Sequence, residues 1–275
     1  MSDLDSFKEA VLKDAPRFTE NDKFRFSCNE GLSCFTQCCA DITIFLTPYD
    51  ILRMKKRLGI SSDEFLEKYT IVPFNKKQRL PLVILKMGGD ENKRCPFVSP
   101  KGCTVYEDRP WACRMYPLGL ASPKEENPAK EEKFYFVMEE AHCRGFGEQK
   151  EWTVRKWLED QGIAEYNRMG ESFKEITLHD YLQKGGDLGP AKMEMFYMGC
   201  YNVDKFRRFV FESRFLQYFE VDPETVERIR TDDLELMKFA VQWLKRALFN
   251  EPTVKVREQL LQTKIQELKK KEQAL

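Results

Sequence analysis

Histidine is nearly missing from this sequence: there are two in 275 residues, His142 and His179. That weighs against His-dependent hydrolases and Cys–His proteases, both of which need an imidazole as general base. An excess of charge is missing as well. Lys plus Arg number 45 and Asp plus Glu number 45, so the formal net charge is zero. No global field draws in nucleic acid or an anionic membrane, and neither is expected as a partner. No stretch approaches the ~18 apolar residues of a membrane span. The opening Met-Ser-Asp-Leu-Asp has neither the basic segment nor the apolar run of a secretory signal. A cytoplasmic protein is therefore expected, in a compartment where thiols stay reduced and disulfides are rare. Internal repeats and low-complexity tracts are absent, and so is a phosphate-binding fingerprint. The stretch Gly185-Gly186-Asp187-Leu188-Gly189 has the wrong spacing and follows no strand.

Cysteine stands against these absences. Cys28, Cys34, Cys38 and Cys39 fall within twelve residues; Cys95, Cys103, Cys113 and Cys143 follow, and Cys200 lies alone downstream. In a reducing compartment such clustering points to metal ligands or redox groups. The first eight form the candidate metal set. Their spacing, C-x5-C-x3-C-C at the start, is local, so little chain entropy is lost in closing the loop. The residues between them are turn formers: Asn29, Gly31 and Ser33 in the first group, Gly102 in the second. Pro96 and Pro110 stiffen the approach of Cys95 and Cys113. The binding form is the thiolate. Four thiolates leave about −2 of charge around Zn²⁺ or a [4Fe–4S]²⁺ centre by formal counting. Arg94, Arg109, Arg114 and Arg144 stand near cysteines and can offset it, or can serve as solvated surface.

Soft thiolate sets select zinc, Cu(I) or iron–sulfur clusters. The two tidy C-x2–4-C knuckles of zinc modules are absent, and so is a ferredoxin-type C-x2-C-x2-C run. On an extended chain Cys38 and Cys39 would point opposite ways. Either the backbone turns there, or the two serve different centres. Eight thiols make two four-ligand sites, or one site with spares. His142, beside Cys143, is a further ligand or a donor behind the ligands. Cys200, among Met195, Phe196, Tyr197 and Met198, reads as a buried small hydrophobe.

The patterning predicts an α+β chain: a cysteine-rich metal-binding domain over 1–148 with short strands and helices, then a mostly α-helical region over 149–275. An opening helix carries Leu4, Phe7, Val11 and Leu12 on one face. Strands are expected over 41–46, 80–87 and 132–138. Thr47-Pro48-Tyr49-Asp50 reads as a capped helix start with a stop at Gly59, and Ser61 opens a second helix. Both are expected to pack beside the cysteine loop. Downstream, helices are expected over 152–169, 178–183, 206–219, 223–229 and 232–249, with a loop over 185–190 and a final helix from Thr253 to about Lys271.

Several ordered blocks carry a family resemblance. They are Cys28…Cys34…Cys38-Cys39, Leu46-Thr47-Pro48-Tyr49-Asp50-Ile51, Cys95-Pro96-Phe97, Gly102-Cys103-Thr104-Val105-Tyr106, Arg109-Pro110…Cys113-Arg114-Met115-Tyr116-Pro117 and Cys143…Gly145. Over about residues 24–147 the chain resembles the YkgJ-type cysteine-cluster family, which carries a CxxCxxCC-type motif. The first cysteines here are spaced more widely than that motif. The resemblance implies zinc or iron chelation. Members are often labelled iron–sulfur oxidoreductases, and a similar domain occurs in flagellin lysine N-methylases that use an iron–sulfur cluster and S-adenosylmethionine. With the irregular spacing, this favours an iron–sulfur cluster, of the [4Fe–4S] type, over zinc. The expected function is a metal-binding protein with a structural or sensory centre and a helical region that engages a protein partner. The alternative is an iron–sulfur enzyme: an electron-transfer oxidoreductase or a lysine-methylase-like protein.

Overall fold

The computed structural model describes residues 11, 13, 15–73, 79–89, 91–121 and 133–257. Leu4, Phe7 and Leu12 of the expected opening helix, and most of the expected final helix, lie outside them. The chain is α+β. Among the described residues no helix is long and apolar enough to cross a membrane.

Packing divides the chain into two compact units, each built from two separate segments: 1–44 with 86–167, and 45–85 with 168–275. A cut near 148 does not follow this division, for two physical reasons. Val154, Trp157 and Ile163 lie beyond 148, yet they bury with Phe24, Phe26, Met115 and Leu118 in the core of the first unit. The helices Pro48–Leu58 and Ser62–Tyr69 belong to the second unit, whereas the cysteine loop belongs to the first.

The first unit is built on short antiparallel pairs. Lys23–Arg25 pairs with Glu151–Thr153, Val98–Ser99 with Gly102–Cys103, and Leu118–Ala121 with Phe134–Val137. The last strand matches the aromatic–aliphatic run expected over 132–138. Two-stranded ribbons are marginal alone, so their stability comes from the apolar side chains they bring together. Phe26 and Trp157 meet edge to face at 5.6 Å, and Trp157 meets Trp152 at 5.2 Å. Trp157 Nε1 donates to the Met115 carbonyl at 3.2 Å, which satisfies its buried polar edge.

The single helix expected over 152–169 is instead a strand, Glu151–Thr153, followed by two helices, Val154–Asp160 and Ile163–Thr177. Trp152 is held in the ribbon opposite Phe24, and its Nε1 donates to the Phe26 carbonyl at 2.9 Å. Thr153 then caps the first helix by accepting from the Lys156 N–H. The break at 161–162 is fixed from outside. Arg114 donates to the Gln161 carbonyl at 2.8 Å, and Arg109 donates to the Gln161 side chain.

In the second unit local signals were strong. Thr47 accepts from the Asp50 N–H, and Asp50 accepts from the Thr47 N–H at 2.7 Å, completing the capping box. The helix Pro48–Leu58 ends at Gly59, whose φ of 66° suits a residue without Cβ. The strand expected over 41–46 reduces to one bridge between Phe45 and Ile84, and that over 80–87 to Ile84–Leu85, paired with Thr70–Ile71. The loop expected through 190 is interrupted by a helix, Gly189–Tyr201, with apolar residues on all sides. Such a helix shows no stripe to read; its buried residues, Phe196, Gly199, Cys200 and Tyr201, lie toward its C-terminal end. It packs on Asp233–Phe249 so closely that a Cβ on Gly199 would lie 3.0 Å from Leu244. The helix expected over 206–219 breaks at Ser213 into Val203–Glu212 and Phe215–Tyr218. Phe206, Phe209 and Phe215 gather around Trp243 with centroids 5.2, 5.3 and 6.1 Å away. Lys255–Val256 is a strand paired with Phe219–Glu220, where the start of the final helix was expected.

Candidate metal centre

All eight candidate ligands fall in the first unit, although they span residues 28 to 143. All nine cysteines are free thiols, with no disulfide between them. Cys200 is buried on the helix Gly189–Tyr201 in the other unit, and burial pushes its thiol well above the ordinary range.

The segment 27–40 has little regular structure and is shaped by turns. Asn29 Oδ1 accepts from the Gly31 N–H at 2.9 Å, and the N–H groups of Leu32, Phe35, Gln37 and Cys39 each bond to a carbonyl three residues back. The chain then enters a 3₁₀ turn, Gln37–Cys39, after a left-handed Thr36 at φ 67°. The backbone does turn at Cys38-Cys39, one of the two arrangements open from sequence alone. In that turn Cys39 shares a hydrogen bond with Cys38, which holds the Cys38 thiol below its ordinary range and the Cys39 thiol above it.

Two neighbourhoods form around this turn. On one side, Ser27 N–H donates to the Gly145 carbonyl at 3.0 Å, and Arg144 N–H donates to Cys34 Sγ at 3.1 Å. These bonds carry Cys143 to the Cys28–Cys34 loop. Burial pushes the Cys28 thiol up to about 11, with the charges of Cys38, Cys34 and Cys143 adding to it. On the other side, Cys95 N–H donates to the Cys39 carbonyl at 2.7 Å, and Ala40 bridges to Arg94. Cys103 sits opposite Val98 in the adjoining ribbon. Burial is the largest influence on Cys95 and Cys103 and raises both thiols, with Cys103 acting on Cys95. Cys95 and Cys113 both act on Cys39.

Thiols raised by burial are protonated, whereas ligands must be thiolates; a bound cation supplies the compensation. Among the described residues, no three Cys, His, Asp or Glu side chains already stand at metal-holding spacing. The chain thus gathers the sulfurs without closing them on one another. The donor chemistry fits a soft metal or a cluster, since the gathered groups are overwhelmingly thiols.

The arginines divide by role. Arg109 and Arg114 are buried. Arg109 is close enough to Cys103 and Cys113 for their charges to act on it, which makes it a built-in counter-charge. Arg114 instead braces backbone, donating to the Arg109 carbonyl at 3.1 Å and to the Glu107 carbonyl. Arg144 contributes through its main-chain N–H. Sequence reasoning missed Tyr116 and Glu140. Tyr116 Oη donates to Glu140 at 3.1 Å, lies in hydrogen-bonding reach of Cys143, and Glu140 acts on Cys38. Neither carries a motif signal beyond the position of Tyr116 after Cys113. His142 Nε2 lies 3.6 Å from the same Glu140.

Gly145 tests this joint. A Cβ there would lie 2.7 Å from the Ser27 carbonyl oxygen and 2.8 Å from the Phe26 ring. Gly145→Ala is expected to force the two segments apart at a cost of ~1–3 kcal/mol and to weaken metal retention. Unchanged metal content and melting in that variant would show that the 27–145 contact does not organise the cysteines.

Thiols from distant segments, gathered by short ribbons and turns, define a cysteine-rich chelating domain within a larger α+β chain. Residues 27–150 match the CxxCxxCC family model, described as "Putative zinc- or iron-chelating domain". That match falls on the stretch whose cysteine blocks resemble this family. Neither the curated proteins nor the solved structures contain a match.

Proposed function

We propose that this chain is a cytoplasmic metal-binding protein whose clustered thiolates hold an iron–sulfur cluster, with zinc as the alternative occupant, in a structural or sensory role. The observation that supports it best is the gathering of eight reduced thiols from residues 28–143 into one compact unit. A bound cluster would supply redox chemistry; bound zinc would supply cross-linking alone. The chain's own part is to hold sulfurs in turns, to place the Arg109 guanidinium near Cys103 and Cys113, and to cap Cys34 with the Arg144 N–H. The helical unit, in this reading, engages a protein partner that responds to the state of the metal.

Anaerobic purification, elemental analysis and a visible spectrum test it. Iron with a broad thiolate-to-iron band near ~400 nm is the expected result. A colourless protein with stoichiometric zinc would assign a closed thiolate site. No metal, even after anaerobic reconstitution, would overturn the proposal.

A further inference from the structure

We propose that His179 is a proton-operated latch: protonating its Nδ1 releases the short helix Asp180–Gln183 and the loop behind it, while the ring stays clamped to the end of the helix Asp233–Phe249. All of these residues belong to the second unit, and the latch does not depend on the metal-binding reading above.

The ring's partners have fixed roles. A backbone N–H can only donate, and the Tyr181 N–H lies 3.1 Å from His179 Nδ1, which caps the short helix. A carboxylate can only accept, and Glu251 Oε1 lies 2.9 Å from Nε2. Nδ1 is therefore bare and Nε2 carries the proton. The ring is stacked on Phe249, with centroids 3.6 Å apart and planes 2° from parallel. The His179 side chain keeps 22% exposure, so solvent protons reach it.

Histidine is the side chain whose charge ordinarily changes between pH 5 and 8. A second proton, taken from solvent, has one place to go, and that is Nδ1. It turns the acceptor into a donor, and two N–H groups then oppose each other at the start of the short helix. The remaining contacts change in the other direction. The imidazolium gains a charge-assisted bond to Glu251 and a cation–π contact with Phe249. The ring is held, so the Tyr181 amide gives way.

The surrounding charges leave Glu251 as the ring's direct partner. Lys245, on the helix Asp233–Phe249, lies 3.5 Å from Glu251 and 2.9 Å from Glu175 on the helix Ile163–Thr177. Asp180, next to His179, pairs with Lys184 at 2.9 Å. Arg79 bonds the Leu182 carbonyl, and Lys192 reaches the Leu248 carbonyl from the helix Gly189–Tyr201. The latch governs the loop through Tyr181. Tyr181 Oη donates to the Asp187 carbonyl at 2.8 Å, and Gly186 N–H donates to the Tyr181 carbonyl at 2.8 Å. Gly186 also packs too close to the Tyr181 ring to carry a Cβ. The glycine-rich stretch 185–189 is thus moulded on Tyr181 and moves when that residue is released.

The test uses the full chain as purified, kept anaerobic, with nitrogen-15 in its histidines. There are two, told apart by removing one of them. At pH 7.5 His179 is expected as the Nε2–H tautomer. From pH 7.5 to 5.5 the Tyr181 amide, corrected for its intrinsic exchange rate, is expected to lose about fivefold in protection, the size of a lost N-cap. The loss should share its midpoint with the His179 titration. His179→Asn, whose side-chain oxygen caps without titrating, should keep Tyr181 protection level over the same range. An Nδ1–H tautomer at pH 7.5, Tyr181 protection unchanged through the His179 titration, or an equal loss in His179→Asn would overturn the latch. Should that variant fail to fold, the two wild-type readings decide alone.

Discussion

Stripping the metal from the native chain should melt the cysteine unit well before the helical unit. Among the described residues, the first unit buries one cluster around Phe24, Phe26, Met115, Leu118, Val154, Trp157 and Ile163 and a smaller one around Val11, Phe134 and Phe136, besides Ile44, Phe97 and Val105. Its sheets are two-stranded, and residues 26–44 contribute only a 3₁₀ turn and one isolated bridge, Ala40 to Arg94. Ordering such a loop costs ~1–2 kcal/mol per residue in backbone entropy, and its turns bury little apolar surface in return. Metal binding can supply the difference, since a structural zinc site contributes ~10–16 kcal/mol of apparent binding energy that is also folding energy. If even ~5 kcal/mol of this is lost, a domain of this size melts ~10–20 °C lower. A strong chelator should therefore lower the first thermal transition by that much. Cys39→Ser and Cys113→Ser should each lower metal content and move the same transition in the same direction. Scanning calorimetry with parallel metal analysis reads both quantities. A metal-free chain that melts with the loaded one would place the metal at the periphery of the fold. Full metal content and unchanged melting in both variants would remove Cys39 and Cys113 from the ligand set.

The parts of this structure that were legible in the sequence are those set by neighbours along the chain. The capping box at Thr47 and Asp50, the stop at Gly59, the Asp222 cap before Pro223–Thr231 and the stripe of Asp233–Phe249 are local, and each is present. The candidate site was legible as a residue list because thiols are chemically conspicuous. What could not be read was set at long range. Val154 and Trp157 sit in a helical pattern, but their burial is decided by Phe24 and Phe26, some 130 residues earlier. The break at Gln161 depends on two arginines about 50 residues upstream. The helix Gly189–Tyr201 escaped because its apolar residues are spread around it and leave no polar face to mark its period. Which cysteines stand together is of the same kind: Cys143 comes to the Cys28–Cys34 loop through the bonds from Ser27 to Gly145 and from Arg144 to Cys34 Sγ.

The second large effect is expected far from any thiol. Lys55 is buried on the helix Pro48–Leu58, and its Nζ lies 2.9 Å from Asp204 and 3.4 Å from Asp233. Asp204 carries more of the network than Lys55 does. It also accepts from the Ser62 N–H at 2.6 Å and the Ser62 hydroxyl at 2.9 Å, while its own N–H donates back to Ser62. Asp233 keeps Lys56 and Arg207 as partners if Lys55 is lost. Removing one member of a buried, hydrogen-bonded pair costs ~3–5 kcal/mol because its partner is left charged in a poor solvent. Asp204→Ala is expected near the lower end, about 3 kcal/mol, since its side chain retains 23% exposure. Lys55→Met should cost less, because its methylenes keep their packing and Asp204 keeps Ser62. The pH dependence has a definite sign. Burial pushes the Asp204 carboxyl up, but the bonds from Ser62 and Lys55 outweigh it and leave it below the ordinary value of 3.8. A carboxyl depressed in the folded state stabilises the fold above its unfolded pKa, and that stability is lost as pH falls through the folded one. The wild type should therefore lose stability on acidification below about pH 4, and Asp204→Asn should lose less over the same window. Urea unfolding of the three variants at pH 7, with wild type and Asp204→Asn repeated at pH 3, measures both effects. A larger loss for Lys55→Met than for Asp204→Ala would show that the lysine's charge, not the carboxylate's set of bonds, holds the two segments of the helical unit together.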